Sequence, residues 1–292
     1  MSKATRNRAR NARERIAAQQ AAARKAEQRR RLLIVGGSVG LVLVIVVGFI
    51  VIKSLAKPAK NLGAGNLPAA VTRNITNVPA STLSSVGTGS LASSGLPIKP
   101  ITGKALTASG KPEMLYIGAE YCPYCAAMRW SMAIALSRFG TFGPLKGIHS
   151  SPTDYAPNTA TLTFYKQKYR SPYLTFTAIE HQKVNSQALQ PVTKAQQALW
   201  SKYDTNAQGQ VGYPFIDFGN KVVLTGPLYD PKTLAGLTWS QIASKLKNPS
   251  DAVAQVIDGA ANYVTASICK MTGDKPGSVC SAPQIKTIES NL

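Results

Sequence analysis

The chain has 292 residues, of which 44% are apolar, so it can build a sizeable hydrophobic core and is not disordered throughout. Its 34 lysines and arginines exceed its 13 acidic residues, which gives a formal net charge of +21. The charge is uneven, because residues 1–31 alone contain 11 basic and two acidic side chains. Four cysteines are too few for a small fold built by disulfides, and two of them are separated by only two residues.

Residues 32–52 form an apolar segment of 21 residues whose one polar side chain is Ser38. A bilayer core requires about 20 apolar residues, whereas the apolar core of a secretory signal has roughly 7–15, so we expect a transmembrane helix. Basic residues are concentrated before this segment, which predicts a single-pass protein of the cell membrane with a cytoplasmic N-terminus and an extracytoplasmic C-terminal domain. A cleaved signal, with Ser54-Leu55-Ala56 at the cleavage site, is the alternative.

Residues 1–31 lack glycine and proline, which predicts a basic helical arm on the cytoplasmic side. This arm either only orients the protein or also contacts anionic lipid. Nucleic-acid binding is not expected, because no aromatic side chain lies among the basic residues to stack on bases. Residues 53–70 contain Pro, Gly, Ala and Lys without apolar periodicity, so we expect a linker there and an extracytoplasmic domain over residues 71–292.

After residue 97, short apolar runs alternate with amphipathic segments, a pattern typical of an α/β domain. The predicted strands are residues 114–118, 145–149, 162–165, 173–179, 213–218 and 221–224. The predicted helices are residues 79–87, 123–139, 192–203, 238–246 and 252–268. Ser250 or Asp251 is expected to cap the last of them. The alternating runs at 162–165 and 173–179 are typical of a hairpin, and Gly219-Asn220 predicts another hairpin between the last two strands.

The sequence Cys122-Pro123-Tyr124-Cys125 lies between a predicted strand and a predicted helix. A thiol at a helix N-terminus is favoured as thiolate, the reactive form, by the unpaired N–H groups and the helix dipole. We therefore expect Cys122 to be an exposed nucleophile and Cys125, one turn later, to resolve the mixed disulfide that Cys122 forms. Pro123 suits the first helical turn, and the carboxylate of Glu120 would oppose thiolate formation if it pointed at the sulfur.

Two alternatives to redox chemistry remain open for this motif. The first is a plain structural disulfide between its cysteines. The second is metal binding, since a single Cys-x-x-Cys could hold copper or half of a zinc site. Zinc, however, requires four ligands, and neither a second cysteine pair nor a pair of histidines stands at ligand spacing. Since His149 and His181 are isolated, we expect neither a metal nor a cofactor.

Cys269 and Cys280 flank a loop with glycine and proline at the end of the last predicted helix. A disulfide is favoured outside the cytoplasm, and one that closes this short loop would stabilise the fold by about 2 to 3 kcal/mol. We therefore predict a structural bridge, with a second redox pair as the alternative.

The chain resembles the thioredoxin-like superfamily in its order of strand, Cys-Pro-Tyr-Cys motif, helix and a later apolar strand preceded by Tyr213-Pro214. The resemblance implies a cis-proline loop that faces the cysteines, so that Tyr213 and Pro214 bind substrate together with Pro123 and Tyr124. Pro214 follows Cys125 by 89 positions, more than in compact thioredoxins. This spacing implies an insertion between the helix of the Cys-x-x-Cys motif and the cis-proline strand.

Residues 71–292 also resemble a membrane-anchored bacterial and archaeal family, domain of unknown function 929. The resemblance is carried by the stretches IGAEYCPYCAAMRW, LSRFGTFG, YLTFTAIE and GYPFIDFGNK. It implies the fold and a Cys-x-x-Cys site, but the family's activity is unassigned.

These observations predict a membrane-tethered thiol–disulfide oxidoreductase that acts on cysteine-containing extracytoplasmic proteins. Disulfide formation is favoured over reduction or isomerisation because the compartment is oxidising, and recycling would require a quinone-linked membrane partner. A non-catalytic envelope scaffold or binding module, with its motif cysteines locked in a structural disulfide, is the alternative.

Overall fold

The structure is a computed structural model that describes residues 64–91 and 95–292. The predicted basic arm, transmembrane segment and most of the linker lie outside the described residues. Within the described residues, no helix combines the length and the apolar character that crossing a membrane requires.

The described residues form a mixed α/β fold, as the sequence predicts. Its strands are β1 (Gly65–Asn66), β2 (Ile98–Pro100), β3 (Thr107–Ala108), β4 (Lys111–Gly118), β5 (Thr141–Phe142), β6 (Lys146–His149), β7 (Ala160–Thr163), β8 (Tyr169–Arg170), β9 (Thr175–Glu180), β10 (Phe215–Phe218) and β11 (Val222–Leu224). Its helices are α1 (Ala69–Thr76), α2 (Ala80–Val86), α3 (Pro123–Ser137), α4 (Lys194–Asp204), α5 (Trp239–Lys245), α6 (Ala252–Thr272), α7 (Gly277–Cys280) and α8 (Pro283–Glu289), with a 3-10 helix at Pro231–Leu234.

Strand β4 lies at the centre of a six-stranded sheet. It pairs in parallel with β9 and antiparallel with β10, which continues antiparallel to β11 and then β2. Strand β3 pairs with the first two residues of β4. Because α3 follows β4 directly, this arrangement places the start of α3 at the end of the central strand.

The two faces of β4 contribute to different cores, as expected when successive side chains of a strand point in opposite directions. Met114 and Tyr116 belong to the larger core, which also contains the buried faces of α3 and α6. Leu115 and Ile117 belong to a smaller core that includes Trp200 of α4. Helices therefore cover both faces of the sheet, and α3 packs closely against α6.

The predicted hairpin between residues 162–165 and 173–179 is wrong. Strand β7 pairs antiparallel with β6, whereas β9 pairs in parallel with β4. The chain between β7 and β9 includes β8, which pairs with β5. Alternation of apolar residues reports that one face of a strand is buried but does not identify the neighbouring strand, so the sequence could not reveal this pairing.

The hairpin predicted around Gly219-Asn220 is confirmed. Strands β10 and β11 pair antiparallel, and both turn residues adopt positive φ, 66° at Gly219 and 56° at Asn220. The side chain of Asp217 accepts a hydrogen bond from the backbone N–H of Asn220, which stabilises the turn. The predicted helix cap at Asp251 is likewise present, since its side chain accepts from the N–H of Val253.

The folded region begins before residue 71. Gly65 and Asn66 pair with β6, and the side chain of Leu67 is buried in the larger core. The sequence places these residues in the linker, because a two-residue strand is too short to show periodicity.

Candidate functional site

The two motif cysteines lie where β4 ends and α3 begins, and both are present as thiols. Cys122 is the N-cap residue of α3, and Pro123 occupies the first turn. The Sγ of Cys122 accepts a hydrogen bond from the backbone N–H of Cys125 at 3.3 Å. A cap formed by sulfur places this thiol at the positive end of the helix dipole, as the strand–motif–helix order predicts.

The two thiols differ in acidity. A hydrogen bond from the Cys125 side chain lowers the pKa of Cys122 against the effect of burial, and the backbone N–H groups of Cys125 and Tyr124 and the charge of Arg129 lower it further. Burial raises the pKa of Cys125 well above its ordinary value. Cys122 is therefore the thiol that ionises first, and Cys125 is the proton donor that stabilises its thiolate.

The expectation that Cys122 is exposed is wrong. Its side chain is only 4% exposed, and Cys125 is fully buried. Three aromatic side chains pack against the two cysteines, namely Tyr121, Tyr124 and Tyr213. Tyr121 and Tyr124 are neighbours of the cysteines in sequence, but Tyr213 comes from a distant part of the chain. A sequence pattern does not show how closely such a distant residue approaches the cysteines.

Tyr213 precedes β10 and forms a cis peptide bond with Pro214. Its hydroxyl hydrogen-bonds Nδ1 of His181, and its ring meets that of Tyr121 edge-on with centroids 6.3 Å apart. Burial raises the pKa of Tyr213, so its hydroxyl stays protonated. The structure thus brings Tyr213 to the cysteines, which is where the resemblance expects a substrate-binding residue.

Tyr124 forms one wall of an open groove beside the motif. Its ring stacks on that of Tyr155 at 5.7 Å, and the ammonium of Lys232 lies 3.9 Å from the centre of the Tyr155 ring. The groove has a volume of about 340 Å³ and is lined mainly by aromatic and proline side chains together with Leu228 and Asp230. The groove therefore presents a largely apolar surface beside the motif.

Comparison with protein families assigns the region that contains this site. Residues 98–270 match the family described as a domain of unknown function (DUF929). The chain belongs to the DUF929 family. No curated protein and no solved structure matches this chain. The DUF929 region includes both motif cysteines and the aromatic residues around them.

Next to the motif, the carboxyl group of Glu120 is turned toward β7, where it accepts a hydrogen bond from the hydroxyl of Thr163 at 2.7 Å. Burial raises the pKa of Glu120. A carboxyl that is more readily neutral opposes the Cys122 thiolate less than a fully charged one would.

The DUF929 site also contains a buried ion pair that the sequence analysis did not identify. Arg129 of α3 donates from Nε and Nη2 to the two carboxylate oxygens of Glu180, at 2.9 and 2.6 Å, and both side chains are fully buried. Although burial opposes its charge, Glu180 and other neighbours hold the pKa of Arg129 above its ordinary value. One signal in the sequence could have identified the pair, because Arg129 is the single charged residue within the apolar sequence of α3.

The isolated histidines lie in different surroundings. His149 packs against the ring of Trp239, whereas His181 bonds Tyr213 next to the motif. Residues 64–91 and 95–292 contain no group of three or more His, Cys, Asp or Glu side chains arranged to hold a metal ion.

Cys269 and Cys280 lie at disulfide distance, with their sulfurs 1.99 Å apart and their Cα atoms 5.6 Å apart. Cys269 is in the last turns of α6, and Cys280 ends α7. Both cysteines are fully buried, so the pair is closed to solvent. In sequence, the pair lies far from the motif, near the C-terminal end of the chain.

Proposed function

We propose that this DUF929 protein is a membrane-tethered, extracytoplasmic thiol–disulfide oxidoreductase that acts through Cys122 and Cys125 and forms disulfides in other proteins. The observation that carries this proposal is the asymmetry of the two thiols. Cys122 caps α3 and has a lowered pKa, whereas Cys125 is buried and has a raised one. One thiol is thus suited to bond a substrate sulfur and the other to resolve that bond.

The sheet order supports a thioredoxin-like fold for this domain. In such a fold the strand before the Cys-x-x-Cys helix has a parallel neighbour on one side and an antiparallel hairpin on the other. Here β4 has β9 and the β10–β11 hairpin in these places, and α6 follows the hairpin. The chain between α3 and β10, which contains β5 to β9 and α4, includes the insertion that would lie beside the site.

The proposed reaction begins with a disulfide between Cys122 and Cys125. A substrate thiolate attacks the sulfur of Cys122, the bond to Cys125 breaks, and Cys125 leaves with the electron pair and takes a proton. A second substrate thiolate then attacks the substrate sulfur of the mixed disulfide and releases Cys122 as a thiolate. The substrate dithiol loses two electrons, and a quinone-linked membrane partner then accepts them and restores the disulfide.

The lowered pKa of Cys122 favours this direction. A sulfur that is stable as a thiolate is a good leaving group, and stabilising the reduced pair raises its reduction potential. The groove beside Tyr124 supplies an apolar surface on which an unfolded substrate segment could lie. Since Cys122 is nearly buried, substrates must displace part of the aromatic cover to reach it.

The test uses the oxidised full chain and a reduced test protein whose folding depends on its disulfides. We expect the wild type to oxidise the test protein and the Cys122→Ser variant to be inactive. When its reduced form is incubated with the disulfide-bonded test protein, the Cys125→Ser variant should accumulate a mixed disulfide, because Cys122 opens the substrate disulfide and no second thiol resolves the new bond. If the wild type neither oxidises this protein nor reduces insulin with dithiothreitol, the proposal is wrong. Retention of envelope partners by an inactive Cys122→Ser variant would then favour the scaffold alternative.

A further inference from the structure

Arg129 is connected to the backbone of Cys122 through a single carbonyl oxygen. Its Nη2 donates to the carbonyl of Ala119 at 2.7 Å, and the backbone N–H of Cys122 donates to the same oxygen at 3.2 Å. Ala119 itself packs against the two cysteines. The guanidinium therefore holds the short loop between β4 and α3 that presents the nucleophile.

The position of Arg129 in α3 also brings its charge close to the redox pair. It follows Cys125 by four residues, so the two side chains lie on the same face of the helix, one turn apart. Glu180, its ionic partner, lies at the end of β9. The guanidinium thus pairs with Glu180 and also acts electrostatically on both thiols.

One nitrogen of this guanidinium has no protein partner in the described part of the chain. Arg129 is fully buried, and its Nη1 makes no hydrogen bond, although Nε and Nη2 make three. An unpaired buried donor destabilises a folded protein, and a buried ion pair is often no better than apolar packing. Stability alone therefore does not explain why a charged pair occupies this place.

We propose that Arg129 is a positioning residue for the redox pair. Its guanidinium holds the Ala119 carbonyl that bonds the backbone of Cys122, and its positive charge, only partly neutralised by Glu180, stabilises the thiolate. This inference deepens the proposed function and rests on it. The acidity of the thiols is in line with it. After the hydrogen bonds from the side chain and the backbone of Cys125, the charge of Arg129 lowers the pKa of Cys122 further, and it also opposes the rise in pKa that burial causes at Cys125.

The first test removes both charges of the buried pair at once, in Arg129→Met/Glu180→Gln, so that no unpaired carboxylate remains in the core. The readout is the pH dependence of iodoacetamide alkylation at Cys122 in the reduced full chain, resolved by mass spectrometry of the labelled peptide. We expect the midpoint to rise by about one pH unit, which is about tenfold less thiolate below the midpoint.

Arg138→Met is the matched control. Arg138 is also a largely desolvated arginine next to α3, but it lies at the opposite end of the helix and bonds Thr265. Its replacement removes a comparable side chain and should leave the alkylation midpoint of Cys122 unchanged. A shift in the control as large as that in the double variant would overturn the proposal, because any loss of packing would then have the same effect.

Glu180→Gln keeps a hydrogen-bond acceptor for Arg129 and tests the sign of the effect. The amide can still accept from Arg129, but the guanidinium loses its compensating charge, so the midpoint of Cys122 should fall. This variant decides the question if the double variant does not fold. Unchanged midpoints in the folded variants would leave Arg129 a purely structural residue. Alkylation of Cys122 requires no turnover. An inactive wild type would therefore refute the proposed function, while the alkylation midpoints would still test the effect of Arg129 on Cys122.

Discussion

The two cysteine pairs of this protein lie at opposite ends of their helices. Cys122 caps the N-terminus of α3, whereas Cys269 lies near the C-terminus of α6. The helix dipole favours a thiolate at the first position and disfavours one at the second. Helix position therefore favours a thiolate at Cys122, as the proposed function requires, and does not favour one at Cys269.

The pairs also differ in what holds them. The motif cysteines are three residues apart within one helical turn, and their position depends on the strand, the loop and the ion pair around them. Cys269 and Cys280 are 11 positions apart, and their bond itself holds a loop, since it connects α6 to α7. The fold therefore holds Cys122 and Cys125 in place, whereas the Cys269–Cys280 bond itself helps to hold the fold.

The largest expected difference between the pairs is in reduction potential. Equilibration of the full chain with glutathione or dithiothreitol buffers, followed by trapping of thiols at each cysteine, measures both pairs in one sample. We expect a potential of about −120 mV for Cys122–Cys125, as in strong disulfide donors, and one below about −300 mV for Cys269–Cys280, as in structural disulfides. A value of about −270 mV for the motif would indicate a reductase, and equal potentials would remove the distinction between the pairs.

The second prediction concerns the stability that the Cys269–Cys280 bond contributes. The Cys269→Ala/Cys280→Ala variant should lose about 2 to 3 kcal/mol of unfolding free energy, because the bond no longer restricts an 11-residue loop in the unfolded chain. Urea unfolding measures this loss. The same variant should oxidise the test protein at the wild-type rate in conditions where it is folded. A lost rate would show that the second pair takes part in exchange.

The third prediction concerns a buried carboxyl group of α6, the helix that carries Cys269. Asp258 of α6 is fully buried, and neither of its carboxylate oxygens has a hydrogen-bond partner within the described residues. Burial raises its pKa to about 8. Since this pKa exceeds that of the unfolded chain, Asp258 stays protonated in the folded state while the unfolded state ionises. Stability should therefore fall as pH rises between about 4 and 8, by roughly 1 kcal/mol for each unit.

The measurement is urea unfolding of the wild type and Asp258→Asn between pH 5 and 8. The variant should lose this slope because its side chain does not titrate. Asp251→Asn is the control on the same helix. Burial raises the pKa of Asp251, but a hydrogen bond from Lys245 outweighs this effect and holds the pKa below its ordinary value. Because Asp251 is then ionised throughout this range, its replacement should change stability by the same amount at every pH. Parallel curves for the wild type and Asp258→Asn would contradict the prediction.

Much of the candidate site was predictable because its signals are local. A buried strand followed by Cys122, Pro123 and an apolar helical pattern specifies a thiol at a helix N-terminus from neighbouring residues alone. The hairpin at Gly219-Asn220 and the cap at Asp251 were predictable for the same reason. Turn and cap preferences depend on backbone conformation within a few residues.

The burial of Cys122 and the ion pair beneath it were not predictable in this way. Tyr213 reaches the cysteines from the start of β10, and Glu180 reaches Arg129 from β9, 51 residues along the chain. Contacts over such separations depend on which strands are neighbours. The incorrect hairpin between residues 162–165 and 173–179 arose from the same limit, because it gave β9 the wrong neighbour.

By itself, the sequence determined the kind of chemistry that the motif can carry, since residue type, spacing and the start of a helix are local properties. The tertiary structure alone decided how accessible and how acidic each thiol is. Accessibility and acidity depend on burial, on aromatic neighbours and on charges contributed by distant strands, and these come together only when β4 is paired with β9 and β10.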